Sequence, residues 1–144
     1  MLTVKLKPSP SKPGRYVFYE IAHNSSEDAR TGQRWRSNAW RPPTDVFDTE
    51  DTIVVRVEVA GMVESDFSIM LDGRYLYIRG MRVDSAEKRA YHQMEVPFGE
   101  FVTEVELPHT VEPKDIEAFY SNGFLKVILP FARPHKIQIE DWDR

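Results

Sequence analysis

The residues able to do chemistry in this chain are few and scattered. Four histidines, His23, His92, His109 and His135, lie far apart in sequence, and no two have ligand spacing on a common element. His92 and Glu95 stand three apart on an extended segment, where side chains alternate between faces, so they make a poor metal pair. Asp48, Glu50 and Asp51 crowd one turn, yet the further oxygen ligands of a calcium loop are lacking, and a solvated turn is expected. Cysteine is absent, which removes disulfides, thiolate nucleophiles and thiolate zinc sites. There is no glycine-rich phosphate loop, no Gly-x-Ser-x-Gly elbow, and no Ser/His/Asp set that falls on converging strand ends. The expectation is a protein that is not an enzyme and that needs no cofactor and no metal.

With no reaction centre to place, the elements themselves carry the argument. The 144 residues, 41% hydrophobic and 29% charged, suit one globular domain with tails. No apolar run approaches the ~18 residues that cross a bilayer, and the N-terminus lacks an apolar run of signal-peptide length. A cytoplasmic protein with no membrane partner is expected. Charge is uneven: residues 1–40 hold seven Lys/Arg against three acids, net +4, and residues 41–144 hold twelve against twenty, net −8. An acidic body disfavours nucleic acid, which needs a basic face.

Residues 1–43 read as a flexible arm, because Pro8, Pro10 and Pro13 break regular structure early. Its apolar content is the patch Tyr16-Val17-Phe18-Tyr19 with Ile21, and then Trp35 and Trp40 ahead of Pro42-Pro43. From Thr44 the texture is β. Ile53, Val55, Val57 and Val59 share one face of an alternating run, as do Phe67, Ile69 and Leu71 in the next. Asp72-Gly73 turns that strand into Tyr75–Arg79, and Gly80 is expected to stop it. The polar stretch 81–90 is followed by Tyr91-His92-Gln93-Met94-Glu95-Val96, a short strand before Pro97. Arg79 to Pro97 is long for a hairpin connection. Phe101, Thr103, Val105 and Leu107 alternate again, and Ile116–Tyr120 pairs with Phe124–Leu129 around Ser121-Asn122-Gly123. Pro130 and Pro134 release a tail whose apolar feature is Ile137-Gln138-Ile139. Six to eight short strands with turns between them give an all-β, immunoglobulin-like antiparallel β-sandwich over residues 44–130, with an extension over 131–144.

Three features in order resemble one family. They are Ala118-Phe119-Tyr120-Ser121-Asn122-Gly123-Phe124-Leu125 running into Lys126–Pro130, then Phe98-Gly99-Glu100-Phe101 leading to Glu106-Leu107-Pro108, and Ile137-Gln138-Ile139 in a charged tail. The opening Pro42-Pro43-Thr44-Asp45-Val46-Phe47-Asp48 matches as well, and Val59-Ala60-Gly61 resembles a Leu-Pro-Gly step with Ala60 in place of Pro. Over about residues 40–139 the chain is similar to a small heat-shock protein carrying an α-crystallin domain. One position departs: members commonly carry Arg in the strand after the aromatic-Gly step, often in dimer contacts, and Thr103 stands there.

The resemblance implies an ATP-independent chaperone that holds partly unfolded proteins and keeps them from aggregating, built as dimers that assemble into larger homo-oligomers. It implies that Ile137 and Ile139 dock in a groove between two strands, here matching Phe67, Ile69, Leu71, Ile116 and Ala118. It implies that Tyr91, His92, Gln93, Met94 and Glu95 form a strand lent to a partner near its Thr44–Asp48. Denatured clients expose apolar surface and strand edges, and the arm's Tyr16, Val17, Phe18, Tyr19, Ile21 and Trp35 are the candidate client contacts. The rival readings are a CS-domain-like co-chaperone, which shares the sandwich but lacks the Ile-x-Ile tail and the long loop, and a structural adaptor.

Overall fold

The computed structural model describes residues 2–8, 16–22, 38–134, 136–139 and 141, with side chains described from residue 38 onward except that of Glu64. Nine strands in chain order are β1 (Leu2–Pro8), β2 (Tyr16–Ala22), β3 (Thr44–Asp48), β4 (Thr52–Glu58), β5 (Phe67–Asp72), β6 (Tyr75–Arg82), β7 (Gly99–Glu106), β8 (Glu117–Ser121) and β9 (Phe124–Pro130). Two short 3-10 turns, Glu64–Asp66 and Pro113–Asp115, complete the regular structure among the described residues.

Every pairing between strands is antiparallel, in the order β3-β4-β9-β8-β2-β1-β5-β6-β7. Residues of both flanks share one core: Ile53, Val55, Val57, Leu125, Val127 and Leu129 from β4 and β9 meet Ile69, Leu76, Ile78, Phe101 and Val105 from β5, β6 and β7. Alternation in the sequence accounts for this directly, since the residues expected to face inward on β4, β5 and β7 are buried. The two tight hairpins also follow the sequence. Asn122 and Gly123 both take positive φ (52° and 80°) between β8 and β9, and Gly73 (φ 59°) opens the two-residue loop between β5 and β6.

Three expectations need correction. The arm was expected to hold no regular element, yet β1 and β2 form a seven-pair hairpin that joins the two flanks. Pro8 falls at the last position of β1, the end of a strand, where a missing N–H costs least. Gly80 does not stop its strand, because β6 continues to Arg82. A Cβ at Gly80 would lie 2.5 Å from Phe101 Cζ and 2.7 Å from the Asp66 carbonyl oxygen, so glycine here permits a close approach inside the sheet. Tyr91–Val96 forms no strand within the single chain.

Candidate functional site

The features with most to do with function lie at the edges of the sheet. On one side the flanks meet through the hairpin. Leu2, Thr3 and Val4 of β1 stand opposite Leu71, Met70 and Ile69 of β5, and Tyr16 and Val17 of β2 stand opposite Ala118 and Glu117 of β8. Of the five residues expected to form the tail-accepting groove, Phe67, Ile69 and Leu71 lie on β5, Ala118 on β8 and Ile116 just before it, with β1 and β2 between the two strands in the sheet. All five are buried, and the free edges beside them are taken by the chain's own arm. Ile137 and Ile139 lie apart from them, 85% and 95% exposed. Of the candidate client contacts, Tyr16, Val17, Phe18, Tyr19 and Ile21 are placed in β2. Trp35 lies outside the described residues.

On the opposite side the chain closes the sandwich by another route. Trp40 makes a parallel bridge to Phe101: its N–H donates to Glu100 O at 3.1 Å and its carbonyl accepts from Val102 N–H at 3.0 Å. Its indole Nε1–H donates to Gly99 O at 3.3 Å, and its ring lies 5.4 Å from that of Phe101. Trp40 is thus a partly buried packing residue against the core, although the sequence reads it as a sticky residue of the arm. Thr103 is fully buried on β7. Its hydroxyl is 2.9 Å from Thr44 Oγ1, and Arg41 Nε donates to it at 3.3 Å, so a guanidinium from the segment before β3 reaches the position where an arginine is usual.

β3 ends the sheet, and among the described residues its outer edge carries no ladder. Val46 and Phe47 are exposed there, guarded by charge: Arg56 pairs with Asp45 and sits over the Phe47 ring, and His109 Nε2 lies 2.8 Å from Asp48 Oδ2. The segment from Val83 to Phe98, including Tyr91, His92, Gln93, Met94 and Glu95, is exposed throughout apart from Asp84. Its base is held by Arg82, which donates to the carbonyls of Pro97 and Ala60 and lies over Trp40 (4.4 Å to the ring centre) and Phe98 (5.3 Å). Within it Arg89 bridges Asp84 and the Tyr91 hydroxyl. Burial pushes the Asp84 carboxyl up, but the Arg89 hydrogen bond and charge, helped by Ser85 N–H and the Tyr91 hydroxyl, outweigh it and hold the group below its ordinary value. No sequence signal pointed to Arg82, because its partners come from residues 15 and more positions away.

This arrangement has counterparts. The profile of the Hsp20/alpha crystallin family matches residues 45–140. The chain belongs to that family. Small heat shock protein C2 of Rickettsia felis is 30% identical to it over 91 residues, which are 62% of this chain and 59% of that protein, so the match spans less than two thirds of that relative. A probable 15 kDa heat shock protein of Leptospira interrogans is 27% identical over 124 residues, 86% of this chain and 94% of that one. Among solved structures, heat shock protein 16.0 from Schizosaccharomyces pombe superposes with a TM-score of 0.57 at 31% identity, covering 69% of this chain and 96% of that one. The α-crystallin fold is the expected sandwich. Membership of this Hsp20 family supports a chaperone role, in a family that is not one of enzymes.

Proposed function

We propose that this member of the family is an ATP-independent holdase: it binds partly unfolded proteins, prevents their aggregation, and works as dimers joined into larger homo-oligomers. The observation that carries the reading is the pair Ile137 and Ile139, almost wholly exposed and spaced to face one way in an extended chain, next to a sandwich that carries an unladdered edge at β3. Two large aliphatic side chains left in water need a partner, and a groove on a second copy is the occupant this spacing fits. Burying both contributes at most roughly 3–6 kcal/mol before ordering costs, a weak link that many copies strengthen by avidity while each still opens singly.

The loop supports a dimer in the same way. Tyr91, His92, Gln93, Met94 and Glu95 are exposed and carry no ladder, and the outer edge of Thr44–Asp48 is a free edge on which a partner's strand fits; a two-fold exchange makes the contact self-complementary. The arm, with Tyr16, Val17, Phe18, Tyr19 and Ile21, supplies apolar contact for clients.

The test is light scattering from a heat-labile client warmed with and without the protein and no ATP. Suppression near equal subunit ratios is expected, and full aggregation at every ratio and temperature refutes the holdase reading. Ile137→Ala with Ile139→Ala is expected to reduce the assembly to dimers by multi-angle light scattering. An unchanged mass rules the tail out as the link.

A further inference from the structure

The outer face of the β3-β4-β9-β8 flank carries a cleft. Asp45, Arg56, Lys126 and Phe119 are successive partners across the four strands, so their side chains form one row on the face turned away from the core. Phe124 and Ser121 stand opposite each other in the neighbouring row of the same face. With Asn122 these residues line a cavity of about 620 Å³, inside the ~300–1,000 Å³ of ordinary ligand sites. Its walls hold two aromatic rings and two cations against one carboxylate. That carboxylate, Asp45, is taken by Arg56. The half-buried Lys126 places its ammonium 5.9 Å from the centre of the Phe119 ring, and among the described residues no carboxylate pairs with it. Such a site suits a partner that brings an aromatic ring and negative charge together.

The chain itself contains that chemistry. Glu140-Asp141-Trp142-Asp143 sets three carboxylates around one indole, just past Ile137-Gln138-Ile139. We infer that this acidic tryptophan segment of a second copy docks in the outer-face cleft, with the Trp142 ring against Phe119 and Phe124 and the flanking carboxylates at Lys126 and Arg56. The contact is separate from any docking of Ile137 and Ile139, because Ala118 faces the core while Phe119, its neighbour on β8, faces the cleft. It also needs no free strand edge, so the hairpin laid along β5 and β8 does not obstruct it. A second copy is the source because the chain leaves β9 away from its own cleft. Phe124 and Lys126 lie at the start of β9, whereas Phe131 N–H donates to Asp51 O at 3.0 Å and Ala132 N–H to Thr110 O at 2.9 Å, carrying the backbone on past the other end. A return from Ala132 to Lys126 retraces about six residues, or ~20 Å, along the strand just left; a neighbour's tail arrives without that reversal. Exposed ion pairs contribute little by themselves, so the indole supplies most of the affinity and the charges set its orientation.

The test reads anisotropy of a fluorescent peptide of residues 138–144 carrying Ile139→Ala, so that neither isoleucine takes part. The host is the full chain with Trp142→Ala, which silences its own segment. The same peptide with Trp142→Ala is expected to bind at least tenfold more weakly. In the host, Lys126→Glu is expected to weaken binding at least tenfold, and circular dichroism reports its folding. Lys126→Met keeps the stem without the charge and serves if the glutamate variant does not fold; its expected loss is about threefold. Equal binding of the two peptides, or a folded Lys126 variant that binds like its host, overturns the site. Binding to none of these proteins overturns it as well, and none of these outcomes touches the reading of Ile137 and Ile139, which the peptide lacks. The cysteine-free sequence allows the source to be checked. A tagged Ser121→Cys chain mixed with an untagged Arg144→Cys chain is expected to cross-link between copies on oxidation. A bond formed only within a chain carrying both substitutions overturns the second copy as the source.

Discussion

Replacing Gly80 with alanine isolates the tightest internal contact of the fold. The added Cβ falls 2.5 Å from Phe101 Cζ and 2.7 Å from the Asp66 carbonyl oxygen, both far inside ordinary van der Waals distance. Neither neighbour yields cheaply. Phe101 is buried, with its ring 5.4 Å from that of Trp40 and 6.1 Å from that of Phe67, so turning it away disturbs two further aromatics. The Asp66 oxygen is backbone at the end of the Glu64–Asp66 turn and directly ahead of β5. Overpacking of this kind costs about 1–3 kcal/mol. The alanine recovers about 0.4–1 kcal/mol by restricting the unfolded chain, provided the native φ suits it, and Gly80 is not among the positive-φ glycines. With two clashes instead of one, the expected net loss is about 2 kcal/mol, or roughly 4–8 °C in Tm for a chain of this size. Because the proposed tail-linked assembly would add its own stability, the substitution belongs in the Ile137→Ala, Ile139→Ala background at fixed concentration. Thermal unfolding by circular dichroism gives the loss, and a cycle with Phe101→Leu divides it. If the ring carries much of the clash, the double variant loses about 1 kcal/mol less than the two single losses together. A Gly80→Ala protein within 0.5 kcal/mol of the parent would show that β6 does not need the close approach.

The other expectations concern the opposite side of the sandwich. Thr103→Val keeps the shape and removes the buried hydroxyl that meets Thr44 and Arg41; because Thr44 Oγ1 also donates to Pro42 O and Arg41 is exposed, the cost by urea denaturation is about 0.5–1.5 kcal/mol, and a loss above 3 kcal/mol contradicts this network. Arg82→Ala removes two ring contacts and the carbonyl bonds at the base of the loop, costing about 1–2 kcal/mol and speeding amide exchange around Phe98; Arg82→Lys, lacking the planar fork, should not restore it, and a full rescue by Lys excludes stacking as the cause. Asp84 has a lowered pKa in the folded chain, so its pairing with Arg89 is fully present above the ordinary carboxylate value and is lost as pH falls through the depressed one. Carboxyl NMR should therefore place the Asp84 midpoint lower than in an Arg89→Ala variant, and coincident midpoints count against the bridge.

Much of the sandwich was legible because its signals are local. Ile53, Val55 and Val57 alternate within five residues, and Asn122-Gly123 states its own turn, so period and turn chemistry suffice for β4, β8 and β9. What was not legible depends on partners distant in sequence. Three prolines argued against structure in the arm, but β1 ends at the first of them, and its pairing is set by an edge some 65 residues later. Gly80 reads as a strand stop in isolation, and only the arrival of Phe101 and Asp66 gives it another role. Trp40 is equally apolar whether it meets a client or a core, and the difference lies in Phe101, 61 residues on. Ile137 and Ile139 were plain as a motif, since the pattern needs no partner to be read.

The arm and the tail pose one physical problem from two ends. A sandwich made by folding a sheet over itself leaves edges, and edges aggregate unless they are covered, charged or shortened. This chain charges the β3 edge with Asp45 and Asp48, bridges β7 with Trp40, and lays the hairpin along β5 and β8. Charge leaves the β3 edge open to a partner's strand, whereas Trp40 is held at β7 by two backbone hydrogen bonds and its ring contact with Phe101. A three-pair ladder backed by a two-pair ladder is not permanent. Beside ladders of seven and eight pairs elsewhere, these short seams make the β5 and β8 edges the least firmly covered of the sheet, and so the first to open locally.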